Sequence, residues 1–453
     1  MRRAALAYVI VFISLAAYVP YLSLYYQSLG IPLGLIGALM AFTSTTALVS
    51  APAWGAIHDR FPRSPLLLPL AGCVAALGGF GLWQVGASPL LPVFAGMFSA
   101  GMAGTTPMMD VRVLELSGSD RTRYGLVRAF GSASFMVCAP LVGLVNDANG
   151  YRGLFLVLIP ALLAGGLAAS AVPGRSNVHR APSMLRAPGR VLGHRPIAMF
   201  LLGSLVCWTA VYSQAGFFSI YLKSLGAPAD QVGWAWSFGA LLEIPTMLLF
   251  PVLARRFGIE RLIVSGAAIT LTREIANLTF TLPAVLLACS LLQGLGYALL
   301  VVGGITFVST RAPKGTAATA QGLLSATTVS LAAIIGSGVG GQLAGLLTIR
   351  GLYVISVALG VLGLVMIAAA VLPAAVLPAA PPGSIPLPVD PVVDRADHNL
   401  NAEAVEVEAV VGVLRGNHSS RRRERGVDVD HDDGVDVAQV HDGGVERVDL
   451  PQH

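Results

Sequence analysis

Five charged side chains stand inside otherwise apolar stretches of this sequence. Asp110 and Arg128 lie in its first half, and Glu243, Arg273 and Glu274 lie in its second. A charged side chain within a membrane is costly unless it is paired or faces water. These residues are therefore candidates for binding a polar solute or carrying a proton, and one acid and one base in each half could form two ion pairs.

The composition indicates a membrane protein. Of 453 residues, 55% are hydrophobic and 12% are charged, with a mean hydropathy of +0.72, whereas soluble proteins average about 25% charged residues. Residues 1–372 contain 22 Lys and Arg against 9 Asp and Glu. These basic residues lie between apolar runs rather than on a helix face with aromatic residues, which argues against nucleic-acid binding.

The apolar runs predict an all-α polytopic protein with twelve membrane-spanning helices, because one span needs about 20 mostly apolar residues. The spans are expected within 4–58 (two, broken at 30–32), 64–109 (two, broken at 86–89), 129–146, 153–174, 196–222, 231–254, 262–282, 283–310, 315–349 and 351–372.

The basic residues also predict the orientation. With the N-terminus in the cytoplasm, 18 Lys and Arg fall on the cytoplasmic side and three on the other. Cytoplasmic connections carry such an excess. We therefore expect a multi-pass protein of the cell inner (plasma) membrane with both termini in the cytoplasm.

Short segments recur at a nearly constant offset. Ser-Leu-Gly-Ile-Pro at 28–32 returns 196 residues later as Ser-Leu-Gly-Ala-Pro at 224–228, and Gly143 matches Gly340 at an offset of 197. Such parallel repeats occur in transporters whose substrate site lies between the two halves. The predicted organisation is a six-helix bundle at 1–174, a basic cytoplasmic linker at 175–195, a second six-helix bundle at 196–372, and a disordered Pro/Ala-rich, then acidic tail at 373–453. Histidines and aspartates in the tail could bind a metal, but disorder is the favoured interpretation.

A charged motif follows the second predicted helix, at Gly55-Ala56-Ile57-His58-Asp59-Arg60-Phe61-Pro62-Arg63. A small residue lets helices approach closely, and the acid can pair with a helix end or with an Arg of the other bundle. The spacing resembles the cytoplasmic signature of the major facilitator superfamily, G-x-x-x-D-R-x-G-R-[RK], with Pro62 replacing the second glycine. The resemblance implies a gating role for Gly55, Asp59, Arg60 and Arg63.

The intramembrane charges extend the resemblance. Pro107-Met108-Met109-Asp110 and the stretch Tyr124 to Ser132 around Arg128 resemble the lactose permease, phenylpropionate permease and nucleoside-proton symporter branch. That branch implies that Asp110 and Arg128 hold polar groups of the substrate and that Phe135 lies under it. It further implies that Glu243 binds substrate or proton and that Arg273 aids deprotonation.

The sequence departs from that branch in helix ten, which lacks the histidine and acid that take part in proton coupling in some members. Coupling would then depend on Glu243, Glu274 or Asp110. Two alternatives are open at these positions. Asp110, Arg112 and Arg128 could extend to the headgroups, and Glu243 with Arg273 could be a purely structural pair. Aromatic and amide residues that could line a cavity or anchor the interface are Trp208, Tyr212, Gln214, Phe217, Trp234 and Trp236.

The leading hypothesis is a secondary transporter that imports a small polar solute, such as a sugar, nucleoside or aromatic acid, with the proton gradient as its energy source. An efflux antiporter is the alternative, because Ala139-Pro140-Leu141-Val142-Gly143 resembles the G-P-x-x-G of antiporters. A receptor or membrane enzyme is a remote alternative, since no nucleophile with a base, P-loop or metal cluster stands in residues 1–372. We expect no cofactor or metal, no nucleic-acid partner, contact with the lipid bilayer, and a monomer.

Overall fold

The computed structural model describes residues 1–117, 121–173, 188–313 and 315–375, and these residues form helices and connections without a strand. Ten helices among them are long and apolar enough to cross a membrane. Two more long helices, Leu91–Ser117 and Ile259–Thr279, occupy the predicted fourth and ninth spans. Each carries three or more charged residues, which lowers its apolar character and sets it apart from the ten.

The helices are numbered α1 to α12 along the chain. In the first half they are α1 (Arg2–Ser28, in two segments, Arg2–Tyr18 and Leu22–Ser28), α2 (Leu33–Arg60), α3 (Leu67–Val85), α4 (Leu91–Ser117), α5 (Arg121–Asn149) and α6 (Gly153–Ser170). The second half begins with a short helix, Pro188–Leu192, and continues with α7 (Arg195–Ser224), α8 (Ala229–Leu241 and Glu243–Phe257), α9 (Ile259–Thr279), α10 (Pro283–Cys289 and Leu291–Arg311), α11 (Ala317–Leu347, with a π-helical turn at Ala326–Leu331) and α12 (Ile349–Ala375).

Most helices lie within a few residues of their predicted bounds. The clearest differences are the end of α4, at Ser117 and not at residue 109, and the start of α5, at Arg121 and not at residue 129. The prediction stopped at the charged residues, yet Arg is a good helix former and continues the helix beyond the apolar run.

The repeat is visible in the turns that lead into α2 and α8. Gly30 and Gly226 both have a left-handed backbone, with φ of 76° and 88°. The N–H of Ile31 donates to the carbonyl of Tyr26 (3.3 Å), and the N–H of Ala227 donates to the carbonyl of Leu222 (3.1 Å). Glycine adopts this conformation without steric cost, and the bond pattern is that of a helix-ending Schellman turn.

Aromatic packing repeats as well. Tyr25 in α1 lies edge-on to Phe155 in α6, with ring centroids 4.8 Å apart, and Tyr221 in α7 lies edge-on to Tyr353 in α12, at 5.1 Å. Tyr25 and Tyr221 are again 196 positions apart. The two halves therefore use the same contact between their first and last helices.

The two halves meet closely at one end of the molecule, which we call the closed end; it carries the connections 29–32, 150–152 and 225–228. A Cβ atom on Gly37 of α2 would lie 2.6 Å from the Cα atom of Gly341 in α11. One on Gly143 of α5 would lie 2.6 Å from the carbonyl oxygen of Ala229 in α8. Only glycine permits backbones to approach this closely, so these two seams depend on it.

Polar groups add to the closed end. The hydroxyl of Tyr21 donates to the carbonyl of Ala139 at 2.6 Å and lies 3.1 Å from that of Ala229. The carboxylate of Asp147 in α5 accepts the N–H groups of Ala229 (3.0 Å) and Asp230 (3.3 Å). Asp147 thus satisfies free N–H groups at the start of α8, a helix of the other half.

The opposite end, which we call the open end, carries the N-terminus, the connection 61–66, and residues 312, 313, 315 and 316 between α10 and α11. Cβ atoms on Gly55 of α2 and Gly125 of α5 would meet no heavy atom within 4 Å. The helices that are tightly packed at the closed end are therefore uncovered at these positions.

Two predicted segments fall largely outside the described residues. Of the linker at 175–195, only its end is described, and this contains the helix Pro188–Leu192. The tail predicted from residue 373 begins three residues inside α12, which runs to Ala375, and its remainder from 376 to 453 lies outside the described residues.

Candidate functional site

A cavity of about 340 Å³ lies between the two halves. Arg128 and Phe135 of α5, Glu243 of α8 and Arg273 of α9 all line it. Four of the six residues predicted for binding or coupling are thus brought together from distant parts of the sequence. We call this cavity the charged compartment.

Arg128 is held by an ion pair with Asp110. Its guanidinium lies 2.9 Å from the Asp110 carboxylate and also donates to the hydroxyl of Tyr124 at 3.0 Å. The hydroxyl of Tyr8 donates to the other carboxylate oxygen. The side chains of Arg128 and Asp110 are 45% and 23% exposed, so the pair is partly exposed, and Arg128 is its member on the cavity wall. The first predicted pair is therefore present.

The pair lies well inside the helices. Arg128 is seven residues after the start of α5, and Asp110 is seven residues before the end of α4. At 1.5 Å per residue, seven residues correspond to about 10 Å. This depth places the pair away from the helix ends.

Arg112 has a different environment from Arg128. It is 1% exposed, and its guanidinium donates to the carbonyls of Ser64 (2.6 Å) and Val172 (3.4 Å). The sequence left open that Arg112 extends to the headgroups. The structure shows instead a buried brace that joins α4 to the chain segments before α3 and after α6.

Glu243 lies at a break in α8. The first segment ends at Leu241 and the second begins at Glu243. Pro245 has no N–H to donate to the carbonyl of Leu241, which accounts for the interruption. The Thr246 N–H and hydroxyl both donate to the carbonyl of Leu242, at 3.2 and 2.6 Å. The break places the Glu243 carboxyl at the start of a helix and on the wall of the charged compartment.

Arg273 does not form the second predicted pair. Among the described residues, no acidic oxygen lies within 4.0 Å of its guanidinium. Arg273 is 4% exposed and lies over the ring of Phe218, 5.0 Å from its centroid. Its Nε has no hydrogen-bond partner in the described part of the chain. A buried guanidinium on a cavity wall without an anionic partner can bind polar groups of a solute.

Glu274 lies outside the charged compartment. It is 1% exposed, and a Cβ atom on Gly360 of α12 would collide with its carboxyl. Neither carboxyl oxygen has a hydrogen-bond partner within the described residues. Successive residues of a helix point about 100° apart, so Arg273 and Glu274 face different neighbours.

The predicted gating motif lies at the open end. Gly55 is uncovered, and Asp59, Arg60 and Arg63 are exposed. The Arg60 guanidinium lies 5.8 Å from the centroid of the Phe61 ring. In this conformation the close glycine contact of α2 is at Gly37, at the opposite end from the motif.

A second cavity of about 340 Å³ adjoins the first, and Val19, Trp236, Gln293 and Tyr297 line both. Trp208 and Tyr212 also line the second cavity. The sequence indicated Trp208, Tyr212 and Trp236 as possible cavity residues without distinguishing them from interfacial anchors. Of the other aromatic and amide candidates, Gln214 and Phe217 are fully buried elsewhere and Trp234 is 44% exposed.

Comparison with known sequences identifies the family. The sequence model of the MFS_1 like family matches residues 1–354. The chain is 27% identical over 369 residues to the maltose permease of Geobacillus stearothermophilus, covering 80% of this chain and 93% of that one. It is 24% identical over 349 residues to the putative nucleoside transporter YegT of Escherichia coli, covering 72% and 80%.

Comparison with solved structures supports the same transporter fold. The crystal structure of the nucleoside transporter NupG superposes with a TM-score of 0.72 at 16% identity, covering 81% of this chain and 98% of that one. The family match and the transporter relatives agree with the prediction of a transporter and not an enzyme. The chain therefore belongs to the MFS_1 like family, within the major facilitator superfamily, and is a membrane transporter of small solutes.

Proposed function

We propose that the chain is a proton-coupled importer of a sugar, a nucleoside or a similar small polar solute, and that it works by alternating access. The charged compartment is the observation that carries this proposal. It lies between two halves that are closed at one end and uncovered at the other, and it combines Arg128, Glu243 and Arg273 with aromatic walls. The names of the relatives, a maltose permease and a putative nucleoside transporter, favour a sugar or nucleoside over an aromatic acid.

We assign the open end to the cytoplasm. The excess of basic residues on the side of the N-terminus supports this orientation. Both termini then lie on the cytoplasmic side of the cell inner membrane. The twelve-span topology requires that α4 and α9 also cross the bilayer. Their charges are compatible with this because Asp110 is paired with Arg128 and Arg273 is buried, at 4% exposed. The protein acts as a monomer in this proposal, since the compartment is formed within one chain.

We assign the coupling proton to Glu243. It lines the compartment, and among the described residues no basic side chain lies within 4.0 Å of its carboxyl. Asp110 is less suited, because Arg128 and Tyr8 already occupy its oxygens. Glu274 is also less suited, because it is sealed from the cavity by packing.

Uptake into proteoliposomes tests the function. Labelled maltose, uridine and phenylpropionate would be offered with and without an inside-alkaline pH gradient. We expect the gradient to stimulate uptake of one of the first two. Glu243→Gln should abolish this stimulation and retain exchange of solute across the membrane, whereas Glu274→Gln should retain both.

Several outcomes would contradict the proposal. Uptake that is indifferent to the gradient would remove proton coupling. Stimulation that survives in Glu243→Gln and is lost in Glu274→Gln would move the coupling site to Glu274. Solute that leaves the vesicles against its gradient when protons enter would favour efflux.

A further inference from the structure

A groove of about 400 Å³ follows the seam between α5 and α8 on its outer side. It shares no lining residue with the charged compartment or with the second cavity. Most of its wall is made by two facing rows of apolar side chains, each with the i, i+4, i+7 spacing of a single helix face. The rows are Val137, Leu141 and Leu144 of α5 and Trp234, Phe238 and Leu241 of α8. We call this feature the seam groove.

The seam groove faces away from the solute cavities. Phe135 of α5 and Ala235 and Gly239 of α8 line the charged compartment, whereas Val137 and Leu141 lie on the outside and are 60% and 51% exposed. Both helices are long and apolar enough to cross a membrane, so their exposed apolar faces meet lipid. Acyl chains, and not water, therefore fill the groove in a bilayer.

The groove has the length of one leaflet. Leu241 comes eleven residues after Asp230, and eleven residues of helix measure about 16 Å. The hydrocarbon core of a bilayer is about 30 Å thick, so one leaflet contributes about 15 Å. Asp230 is the second residue of α8 and lies at the closed end, where we expect the bilayer surface. One acyl chain of that leaflet therefore fits along the groove.

Asp230 gives the groove a charge at its mouth. It bears the only charge among the described residues of the wall, and its side chain is partly exposed. No basic nitrogen in the described part of the chain lies within 4.0 Å of its carboxyl. The Asp147 carboxylate stands beside it and accepts the N–H of Asp230, and the Lys223 ammonium lies over the ring of Tyr151, 6.0 Å from its centroid. The mouth of the groove is therefore acidic and complements a cation.

This charge identifies the headgroup. Phosphatidylglycerol would place an anionic phosphate beside two carboxylates, which is unfavourable. Phosphatidylethanolamine has a primary ammonium with three N–H donors, and its hydrogen bond to a carboxylate is charge-assisted. Trp234, which is 44% exposed, lies one helical turn below Asp230. Tryptophan is enriched at this depth, where its ring meets the polar part of the lipids.

We propose that the seam groove binds a phospholipid with a primary ammonium headgroup, with the ammonium at Asp230 and one acyl chain between the rows of α5 and α8. The lipid then contacts both halves where they meet, so its binding stabilises the closed end. The site requires neither a particular solute nor proton coupling and so goes beyond the proposed function, whereas its effect on the closed end rests on alternating access. The sequence indicated Trp234 only as a cavity residue or an interfacial anchor.

Quenching of Trp234 fluorescence by brominated lipid tests the site. The full chain would be reconstituted in an equal mixture of phosphatidylethanolamine and phosphatidylglycerol with identical acyl chains, in which one lipid or the other carries bromine. The Trp234 contribution is the difference in emission from Trp234→Phe. We expect the brominated ethanolamine lipid to quench this contribution at least about two-fold more strongly, a ratio that one exposed ion pair can supply. Lipids without preference would quench equally.

Three variants make the quenching test specific. Asp230→Asn keeps the shape and removes the charge, so both brominated lipids should quench equally. Val137→Phe places a ring in the groove and should reduce quenching by the ethanolamine lipid. Val365→Phe is its matched control, because Val365 of α12 is 59% exposed against 60% for Val137 and lies outside the groove. Both valines are on the surface, so these variants should fold.

Cysteine labelling tests the effect on the closed end. A cysteine placed at Ser23, on the wall of the second cavity, would be exposed to an impermeant maleimide from the closed side. The vesicles would contain either the lipid mixture or phosphatidylglycerol alone. We expect labelling to be about two-fold slower in the mixture, and equally fast in both membranes when Asp230→Asn is also present.

The outcomes separate this inference from the proposed function. Equal quenching by the two lipids, or a preference that survives Asp230→Asn, would overturn the site. Equal loss of quenching in Val137→Phe and Val365→Phe would also count against the groove. Selective quenching with the same labelling rate in both membranes would show that the lipid binds without stabilising the closed end. None of these readouts depends on uptake, so a failure of proton-coupled import would leave the lipid site intact.

Discussion

At the scale of single residues, the Asp110 and Arg128 pair gives the first prediction. Arg128 lines the charged compartment, and Arg128→Ala leaves the Asp110 carboxylate with Tyr8 as its remaining partner. We expect solute uptake to fall at least about ten-fold, since an uncompensated charge disrupts the site. Because the pair is partly exposed, we expect the melting temperature to fall by less than about 5 °C. Proteoliposome uptake and thermal unfolding would measure the two effects.

The matched control for this prediction is Arg350→Ala. Arg350 is an exposed arginine near the start of α12, and its removal should change neither uptake nor melting temperature. Full uptake in Arg128→Ala would exclude Arg128 from the site. A collapse of stability without a specific transport defect would make the pair purely structural.

Glu274 gives a second prediction at this scale. Its carboxyl is buried against Gly360 with both oxygens unpartnered among the described residues, an environment that tolerates a neutral group better than a charge. Glu274→Gln keeps the shape, so stability should change by less than about 1 kcal/mol. Glu274→Ala leaves a cavity and should lower stability by about 2–3 kcal/mol. Thermal unfolding of both variants would check this, and a large loss in Glu274→Gln would show that the charge is needed.

The adjacent residues Arg273 and Glu274 also show what the sequence could and could not predict about the site. Their position inside an apolar run was enough to identify both as exceptional. Helical geometry separates their directions, but the rotation of α9 about its axis depends on packing against α7 and α12. That rotation cannot be predicted from the sequence. Only the structure places Arg273 on the cavity wall and Glu274 against Gly360 of α12.

At the scale of helices, Asp147 gives a third prediction, because it caps α8 from α5. Asp147→Ala removes an acceptor for the N–H groups of Ala229 and Asp230. Loss of an N-terminal cap costs about 1 kcal/mol, so the closed end should open more often. We expect a cysteine placed at Ser23, on the wall of the second cavity, to react with an impermeant maleimide from the closed side about two to five times faster in Asp147→Ala than in the unaltered protein.

Two variants make the Asp147 test specific. Asp147→Asn retains a side-chain acceptor and should keep the labelling rate near that of the unaltered protein, since Asn caps helices well. Asn149→Ala removes a side chain that bonds within its own helix, to Val145, and should have no effect. Equal labelling in Asp147→Ala and the unaltered protein would show that the cap does not hold the closed end.

At the scale of the whole molecule, the repeat explains why the fold was predictable and part of the site was not. Gly37 and Gly233, 196 positions apart, both lie on seams between the halves, where Cβ atoms would lie 2.6 Å from atoms of Gly341 and Ala139 respectively. Repeated glycines and apolar runs can be recognised directly in a sequence. The second cavity is lined by serines and aromatic residues from six helices without any shared motif, so its members become apparent only when the helices are placed together.

The paired seams lead to a prediction about the transport cycle. If solute crosses by alternate opening of the two ends, the closed end must separate once per cycle. The side-chain amide of Gln342 in α11 donates to the carbonyl of Gly34 in α2 at 3.2 Å, so cysteines at both positions should form a disulfide. We expect oxidation of the Gly34→Cys, Gln342→Cys double variant to reduce uptake to the level of empty vesicles and a reductant to restore it. Each single variant should keep its uptake under the same oxidant, because it has no partner across the seam. Undiminished uptake by fully cross-linked protein would mean that solute crosses without separation of α2 from α11, and alternating access at this seam would then be wrong.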